Sequence, residues 1–407
     1  MNETMKNIKK PELLAPAGNW KALRTAIKYG ADAVYFGVEN LNMRAKAANF
    51  KVAELKQIVE FCHQNNVDAH LTLNTIVFED ELEQLDKIIP EAKKAGIDFI
   101  ICWDTAVINK CLEYEVPFCV STQASISNSS AAKFYKRLGA KRIVLARECS
   151  LEKIKEIKNE VDIEIETFVH GAMCVAISGR CFMSHDAFGK SANRGECIQP
   201  CRREFEIVDK DESKSFIIGE DYVMSPKDLC AIDFIDLLIE AGIDSFKIEG
   251  RKRSPEYIAK VVGAYRKAID LYFEERLTIQ SKKDLRKDLE EVYNRGFSSG
   301  FYFDVPGAEE FTDQYGSKAT TRKQFVGKVI NYFQNEKVAH VKILSNKIDV
   351  GDKVYFIGNT TALVEAEVSA IRKDDAEVLA GEKGEEVTFK VDGFVRPGDQ
   401  VYKVIEV

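Results

Sequence analysis

From Pro11 to about Arg276, short apolar runs alternate with amphipathic stretches of helical length, the pattern of repeated βα units around a parallel sheet. The runs Glu12–Ala15, Ala33–Gly37, Ala69–Asn74, Phe99–Ile101, Phe118–Thr122, Arg142–Leu145, Ile163–His170 and Ser245–Glu249 predict eight strands. A weak internal repeat supports them. Tyr29-Gly30-Ala31-Asp32, Ala95-Gly96-Ile97-Asp98, Leu138-Gly139-Ala140-Lys141 and Ala241-Gly242-Ile243-Asp244 each stand just before a strand, with a glycine able to take the left-handed conformation that closes a helix. Eight units predict an α/β fold of the TIM-like (β/α) barrel type. An open doubly wound sheet carries the same alternation and is the structural rival. In a barrel the acting side chains follow the C-terminal ends of the strands, which singles out Asn74, Asp104, Gln123, Arg147, Glu148, His170, Ser225 and Glu249.

The rhythm breaks once, after the strand that begins at Ile163. The predicted barrel domain, 11–276, therefore contains an insertion, 171–220, with a cysteine-rich loop from Cys174 to Cys201 and an expected hairpin, Phe205–Val208 with Phe216–Ile218. A long helix follows Pro255. A connector, 277–322, holds a charged helix with Lys282, Lys283, Arg286 and Lys287 and a Gly- and aromatic-rich turn region, Arg295–Phe303. From 323 to 407 short alternating strands with turn signals predict a small antiparallel all-β barrel domain, which either caps or braces the large one.

Charge changes this picture little at first. The 407 residues carry 58 Lys and Arg against 65 Asp and Glu, a net charge of -7, which excludes a globally basic nucleic-acid binder but leaves room for a local basic patch. The first ten residues are polar, and no apolar run approaches the roughly 18 residues of a membrane span. A cytoplasmic protein with no membrane contact is the expectation.

The ten cysteines are too sparse for a disulfide scaffold, so reduced thiols or metal ligands are expected. Four of them, Cys174, Cys181, Cys197 and Cys201, are separated by six, fifteen and three residues inside one loop on the active face. Such a set can hold an iron-sulfur cluster or zinc, or be unrelated thiols; the open first spacing and the barrel-mouth position favour the cluster over a zinc ribbon. Cys62, Cys102, Cys111, Cys119, Cys149 and Cys230 read as small buried hydrophobes. The cysteine loop is also locally basic: Arg180, Lys190, Arg194, Arg202 and Arg203 against Asp186, Glu196 and Glu204 give +2. Arginine pairs bidentately with carboxylate and phosphate, so an anionic metabolite or a nucleic-acid backbone fits there. Lys247, Arg251, Lys252 and Arg253, with the connector helix, add a second basic region near the same mouth. His170, four residues before Cys174, is a candidate for proton transfer or for supporting a metal ligand.

The run from Glu166 to Cys181, ETFVHGAMCVAISGRC, resembles the signature of the collagenase-like peptidase family of unassigned catalytic type. Glu12-Leu13-Leu14-Ala15-Pro16-Ala17-Gly18, Ala31-Asp32-Ala33-Val34-Tyr35-Phe36-Gly37 and Lys247-Ile248-Glu249-Gly250-Arg251 match the same family, so the resemblance covers nearly the whole chain. That family includes enzymes that install 5-hydroxyuridine at the tRNA wobble position with a requirement for prephenate, and a longer relative that hydroxylates a ribosomal cytidine. The chain is similar to the tRNA-hydroxylating branch. The resemblance implies a cluster of four-iron four-sulfur type on Cys174, Cys181, Cys197 and Cys201, with zinc as the alternative metal. It further implies prephenate, a small dicarboxylate, as cosubstrate held by Arg180, Arg194, Arg202, Arg203 and Arg251, and a tRNA anticodon arm as partner. His170 and Glu249 become the candidates for proton transfer, and a homo-oligomer or a hetero-oligomer with a paralogue is the expected assembly. Two rival readings follow from the same residues. A loop thiol with His170 or His185 could make a cysteine peptidase, although no His-Glu-x-x-His motif is present. A noncatalytic RNA-binding or assembly protein is the other.

Overall fold

Eight parallel strands close into a barrel in the computed structural model, which describes residues 8–44, 49–177, 180–203, 224–313, 316–374 and 376–407. They are β1 (Glu12–Pro16), β2 (Ala33–Gly37), β3 (Asp68–Thr72), β4 (Phe99–Cys102), β5 (Phe118–Val120), β6 (Arg142–Val144), β7 (Glu164–Gly171) and, after the short strand β8 (Asp228–Cys230), β9 (Ser245–Ile248). Strand β9 pairs with β1 on one side and β7 on the other, and this double pairing closes the ring and excludes the open sheet. The strands are nearly continuous apolar runs, as strands covered on both faces must be; all five residues of β2 are buried.

Around them lie α1 (Trp20–Lys28), α2 (Leu55–Gln64), α3 (Leu82–Ala95), α4 (Thr105–Glu113), α5 (Ser129–Arg137), α6 (Leu151–Glu160), α7 (Met183–Phe188) in the insertion, α8 (Ile235–Glu240) and α9 (Pro255–Phe273). Polar side chains cap several of these helices at the start: Asn19, Asp104, Asn128 and Ser150 each accept a first-turn backbone N–H. The repeated glycines close units at the other end, since Gly30, Gly96, Gly139 and Gly242 all have left-handed φ, from +72° to +103°. Helix α6 shows the packing logic: Leu151, Ile154 and Ile157 share the buried face while its lysines and glutamates face outward.

The barrel interior is not wholly apolar. Arg142 on β6 forms a bidentate pair with Glu12 on β1, at 2.6 and 3.0 Å, and reaches Glu164 at 2.9 Å and Glu166 at 3.5 Å. The other Glu166 oxygen accepts Lys247 Nζ at 2.6 Å. Glu166 is fully buried, so two cations compensate one dry carboxylate.

Two departures from expectation concern very short strands. β8 runs antiparallel to the end of β7, pairing Cys230 with His170 and Leu229 with Gly171. Beyond the connector helix α10 (Ile279–Glu290), the region read as turns contains β10 (Phe297–Ser298), which extends β8 in parallel. The hairpin expected at 205–218 lies outside the described residues.

The last module contains β11 (Thr321–Phe333), β12 (Val338–Ile343), β13 (Ile348–Asp349), β14 (Lys353–Gly358), β15 (Ala362–Glu367), β16 (Ile371–Lys373), β17 (Ala376–Val378), β18 (Ala380–Gly381), β19 (Glu386–Lys390) and β20 (Gln400–Glu406). Eight of them form one antiparallel sheet in the order β15-β14-β20-β11-β12-β19-β16-β17 around its own core of Val326, Val341, Phe356 and Phe389. The sheet docks on the outer wall of the barrel. Lys28 Nζ donates to Leu363 O at 2.7 Å, Tyr29 Oη to Glu365 at 3.0 Å, and Lys323 pairs with Glu256 at 2.7 Å. Tyr355, Ile357 and Leu363 pack there against Ala259 of α9.

Candidate functional site

The strands end at a cation-lined cavity in the C-terminal mouth. Its wall includes Tyr35, Arg44, Thr72, Asn74, Gln123, Arg147, Cys174, Lys247, Glu249 and Arg251, so four cations face a single carboxylate. Arg251 is buried and donates to Thr72 Oγ1 at 2.8 Å and Asn42 Oδ1 at 3.1 Å. A side chain on Gly37 would sit 2.8 Å from that guanidinium, so glycine at the end of β2 leaves the arginine its place. Arg44 pairs with Glu249 at 3.0 Å. The Arg147 guanidinium lies 3.9 Å from the centre of the Phe168 ring, donates to Ala172 O at 2.7 Å and leaves its Nε without a partner.

Burial pushes the Glu249 carboxyl up, but the field of Arg44, Arg147, Arg251 and Lys247 outweighs it and holds the group at about 2. Glu249 is therefore ionised at neutral pH and can accept a proton but not donate one. Arg251 is lowered to about 10 by burial, with Arg44 adding to the effect. It remains charged at neutral pH, and a second anion in the cavity would relieve the crowding of positive groups.

The cysteine lobe stands over this mouth. Cys174 lines the cavity itself, whereas Cys181, Cys197 and Cys201 are half-buried around α7. Burial raises the Cys201 thiol; Arg202 opposes this, and Cys197, Cys174 and Cys181 reinforce it, which puts all four sulfurs in one electrostatic neighbourhood. None of the ten cysteines is in a disulfide. A tetrahedral zinc with Zn–S of about 2.3 Å draws its sulfurs to within about 3.8 Å of one another. Among the described residues, no three of these sulfurs lie mutually within 4.8 Å. Four thiols are also the donor set of a cluster, in which each thiolate binds a different iron.

The other proposed residues divide. Of the five arginines expected to hold a dicarboxylate, Arg251 alone lines the cavity. Arg194 turns away to ion-pair with Glu81 and to donate to Ile76 O. Arg202 donates to Pro226 O at 2.9 Å and to Met173 O. Arg180 reaches Gln123 O at 3.4 Å, and Arg203 stacks on Phe188. These four fasten or edge the lobe rather than point into the cavity. Two of the four connector-helix cations are similarly engaged, Lys282 with Asp236 and Arg286 with Asp233, while Lys283 and Lys287 are exposed. Asp104 caps α4.

His170 is also placed apart from the cavity. Its ring is packed among Tyr257, Tyr265 and Phe297, and Tyr265 Oη lies 3.4 Å from Nδ1 while donating to Val169 O. Gly171 beside it has φ +105°, and a Cβ there would meet Glu249 O at 2.6 Å, so the His-Gly and Glu-Gly segments can pass only with glycine at this position. Burial, with a smaller contribution from Arg253, pulls the His170 imidazole down to about 3. Its folded value is below the ordinary 6.5, so its contribution to stability is present above about 6.5 and lost as pH falls toward 3. Urea denaturation is expected to show about 2 kcal/mol of that loss between pH 7.5 and pH 5, and His170→Phe should remove this share. Equal pH dependence in the two proteins would refute the assignment.

Arg44, Tyr35 and Thr72 were not foreseen. The signal for Arg44 was available, because it lies in the loop after β2 and the strand-end rule applies there as elsewhere.

Known proteins agree with this anatomy. The model of peptidase family U32 matches residues 18–312. An uncharacterized protease of Methanocaldococcus jannaschii is 40% identical over 404 residues, 97% of this chain and 98% of the relative. A collagenase of Porphyromonas gingivalis is 39% identical over 409 residues, 98% of each chain. A tRNA hydroxylation protein P1 of Bacillus subtilis is 37% identical over 403 residues, 97% of this chain and 95% of that one. The matched span contains all eight barrel strands but the first, together with the cysteine lobe, the cavity and the connector helix; the chain belongs to peptidase family U32.

Proposed function

We propose that this chain is an RNA-modifying enzyme, a prephenate-dependent 5-hydroxylase of the wobble uridine in tRNA that carries an iron-sulfur cluster on Cys174, Cys181, Cys197 and Cys201. The observation that carries the reading is the cavity: four cations and one ionised carboxylate, with one of the four clustered thiols in its wall. An RNA-directed activity is supported by the likeness to the Bacillus subtilis tRNA hydroxylation protein along almost the full length of both chains. Arg44, Arg147, Lys247 and Arg251 hold the two carboxylates of prephenate, taking over the role the loop arginines do not fill. Glu249 fixes Arg44 at the cavity wall. The uridine enters as an extruded base, because its ring is out of reach inside a stack. Replacing C–H by C–OH at carbon 5 is a two-electron oxidation of the ring: with water as the oxygen source two protons and two electrons leave, and a two-electron acceptor from outside this chain takes the electrons. When bound, a cluster supplies electron transfer or a Lewis-acidic iron.

Mass spectrometry of tRNA nucleosides tests the reading. A strain lacking the gene and kept without dioxygen should lose 5-hydroxyuridine and regain it with the wild-type chain. Arg251→Met should weaken prephenate binding about 10- to 100-fold, the loss of a charge-assisted hydrogen bond. Unchanged nucleosides in a strain without a second copy would overturn the function. Gelatin cleavage by the pure protein would move the assignment to the peptidase reading that the Porphyromonas gingivalis name carries.

A further inference from the structure

We infer that the cysteine lobe and the barrel loops beside it form a stacking surface for the unpaired bases of an RNA loop, with Phe182 as its principal platform. The inference rests on the RNA reading above and identifies where the substrate is gripped outside the cavity.

Buried apolar residues need no explanation, but this lobe leaves large ones open. Phe182, directly after Cys181, is 72% exposed; Ile177 is 51% exposed and Phe188 41%. Across the mouth, Phe78 in the loop after β3 is 52% exposed. Guanidinium groups lie against several of the aromatic rings here. Arg203 is 4.6 Å from the centre of Phe188, Arg194 is 4.4 Å from Phe78, and Arg180 is 5.7 Å from Trp103. Arg194 leaves the lobe to reach Phe78, so lobe and barrel loop make one rim.

The charge at this rim decides the occupant. Arg180, Lys190 and Arg203 are exposed and pair with no carboxylate among the described residues, and, unlike the exposed Lys283 and Lys287 of the connector helix, Arg180 and Arg203 stand beside aromatic rings. Open aromatic faces interleaved with uncompensated cations are what a single-stranded nucleic acid needs, since bases stack on aromatic rings and guanidinium planes while the backbone meets positive charge. A duplex hides its base faces and gains little from such a surface. A loop whose neighbouring bases are stacked on the rim can release one base into the cation-lined cavity below.

The test is fluorescence anisotropy with the full chain and two probes, a synthetic RNA stem-loop with an unpaired loop and a blunt RNA duplex of the same length. The stem-loop should bind more tightly. Phe182→Ala should weaken stem-loop binding about 10-fold without changing the salt dependence, and Phe182→Trp should retain affinity. Arg203→Gln should instead lower the slope of log K against log salt by about 0.7. Melting curves of these exposed-site variants check that the fold is kept. If the wild type binds the stem-loop and both Phe182→Ala and Phe188→Ala bind it equally well, the stacking surface is wrong and the RNA reading stands. A change in oligomeric state with unchanged RNA affinity would mark a protein interface and also overturn the inference. If the wild type binds neither RNA, the RNA reading itself fails.

Discussion

Cys197→Ala is expected to abolish tRNA hydroxylation, with 5-hydroxyuridine falling more than about 100-fold in a strain that depends on this chain. Loss even of an outer partner of a metal ligand costs roughly 10- to 100-fold, and here one of the four proposed ligands is removed. The four thiols share one neighbourhood above the cavity, and Cys174 forms part of its wall. Iron and sulfide content after anaerobic purification should fall together with activity. Cys62→Ala is the matching control: this thiol is buried under α2 and pushed up to about 12, chiefly by burial, so its loss should leave the modified nucleoside in place. A wild-type protein that holds zinc but no iron and is fully active would refute the cluster. Full activity of Cys197→Ala would refute the ligand set.

The second large effect belongs to Glu166, remote from solvent. Glu166→Ala strands the buried Lys247, while Arg142 keeps Glu12 and Glu164. Breaking a buried pair by removing one partner costs about 3 to 5 kcal/mol because the remaining charge is stranded. In a domain of this size that corresponds to a fall in Tm on the order of 10 °C. Lys247 also faces the cavity, so anion affinity should change as well. Calorimetry on the full chain measures the first, and titration with prephenate the second. A drop below about 2 °C would mean that water or another group compensates the pair. Glu166→Gln, which keeps the shape and loses the charge, separates packing from electrostatics.

The barrel was legible because its signal is repeated. Eight apolar runs and four glycine-closed units recur at similar intervals, and each repeat confirms the others. Strands β8 and β10 span only three and two residues and stand outside the repeated βα unit, so no recurrence announces them. The cavity was partly legible. The strand-end rule reached Asn74, Gln123, Arg147 and Glu249, because in a parallel barrel position along a strand fixes which mouth a residue faces. The arginines of the lobe were misdirected for a physical reason. Sequence gives charge but not orientation, and a guanidinium with five donors is as well satisfied by backbone carbonyls and a neighbouring glutamate as by a ligand. Arg194 and Arg202 took those partners. His170 was misread similarly, since a strand-end histidine can face the ring interior or the surrounding helices, and this one meets Tyr257 and Tyr265 of α9.

The tethers of the lobe bear on how firmly it is held. Arg194 ties it to the loop after β3, Arg180 to Gln123 after β5, and Arg202 joins Met173 to Pro226 across the base of the insertion. All these bonds are between protein groups, in contrast to small zinc modules whose folding free energy is the metal's own binding energy. The lobe is thereby fastened to the barrel by three arginines, so Arg194→Gln should quicken proteolytic nicking of the lobe and leave the barrel whole.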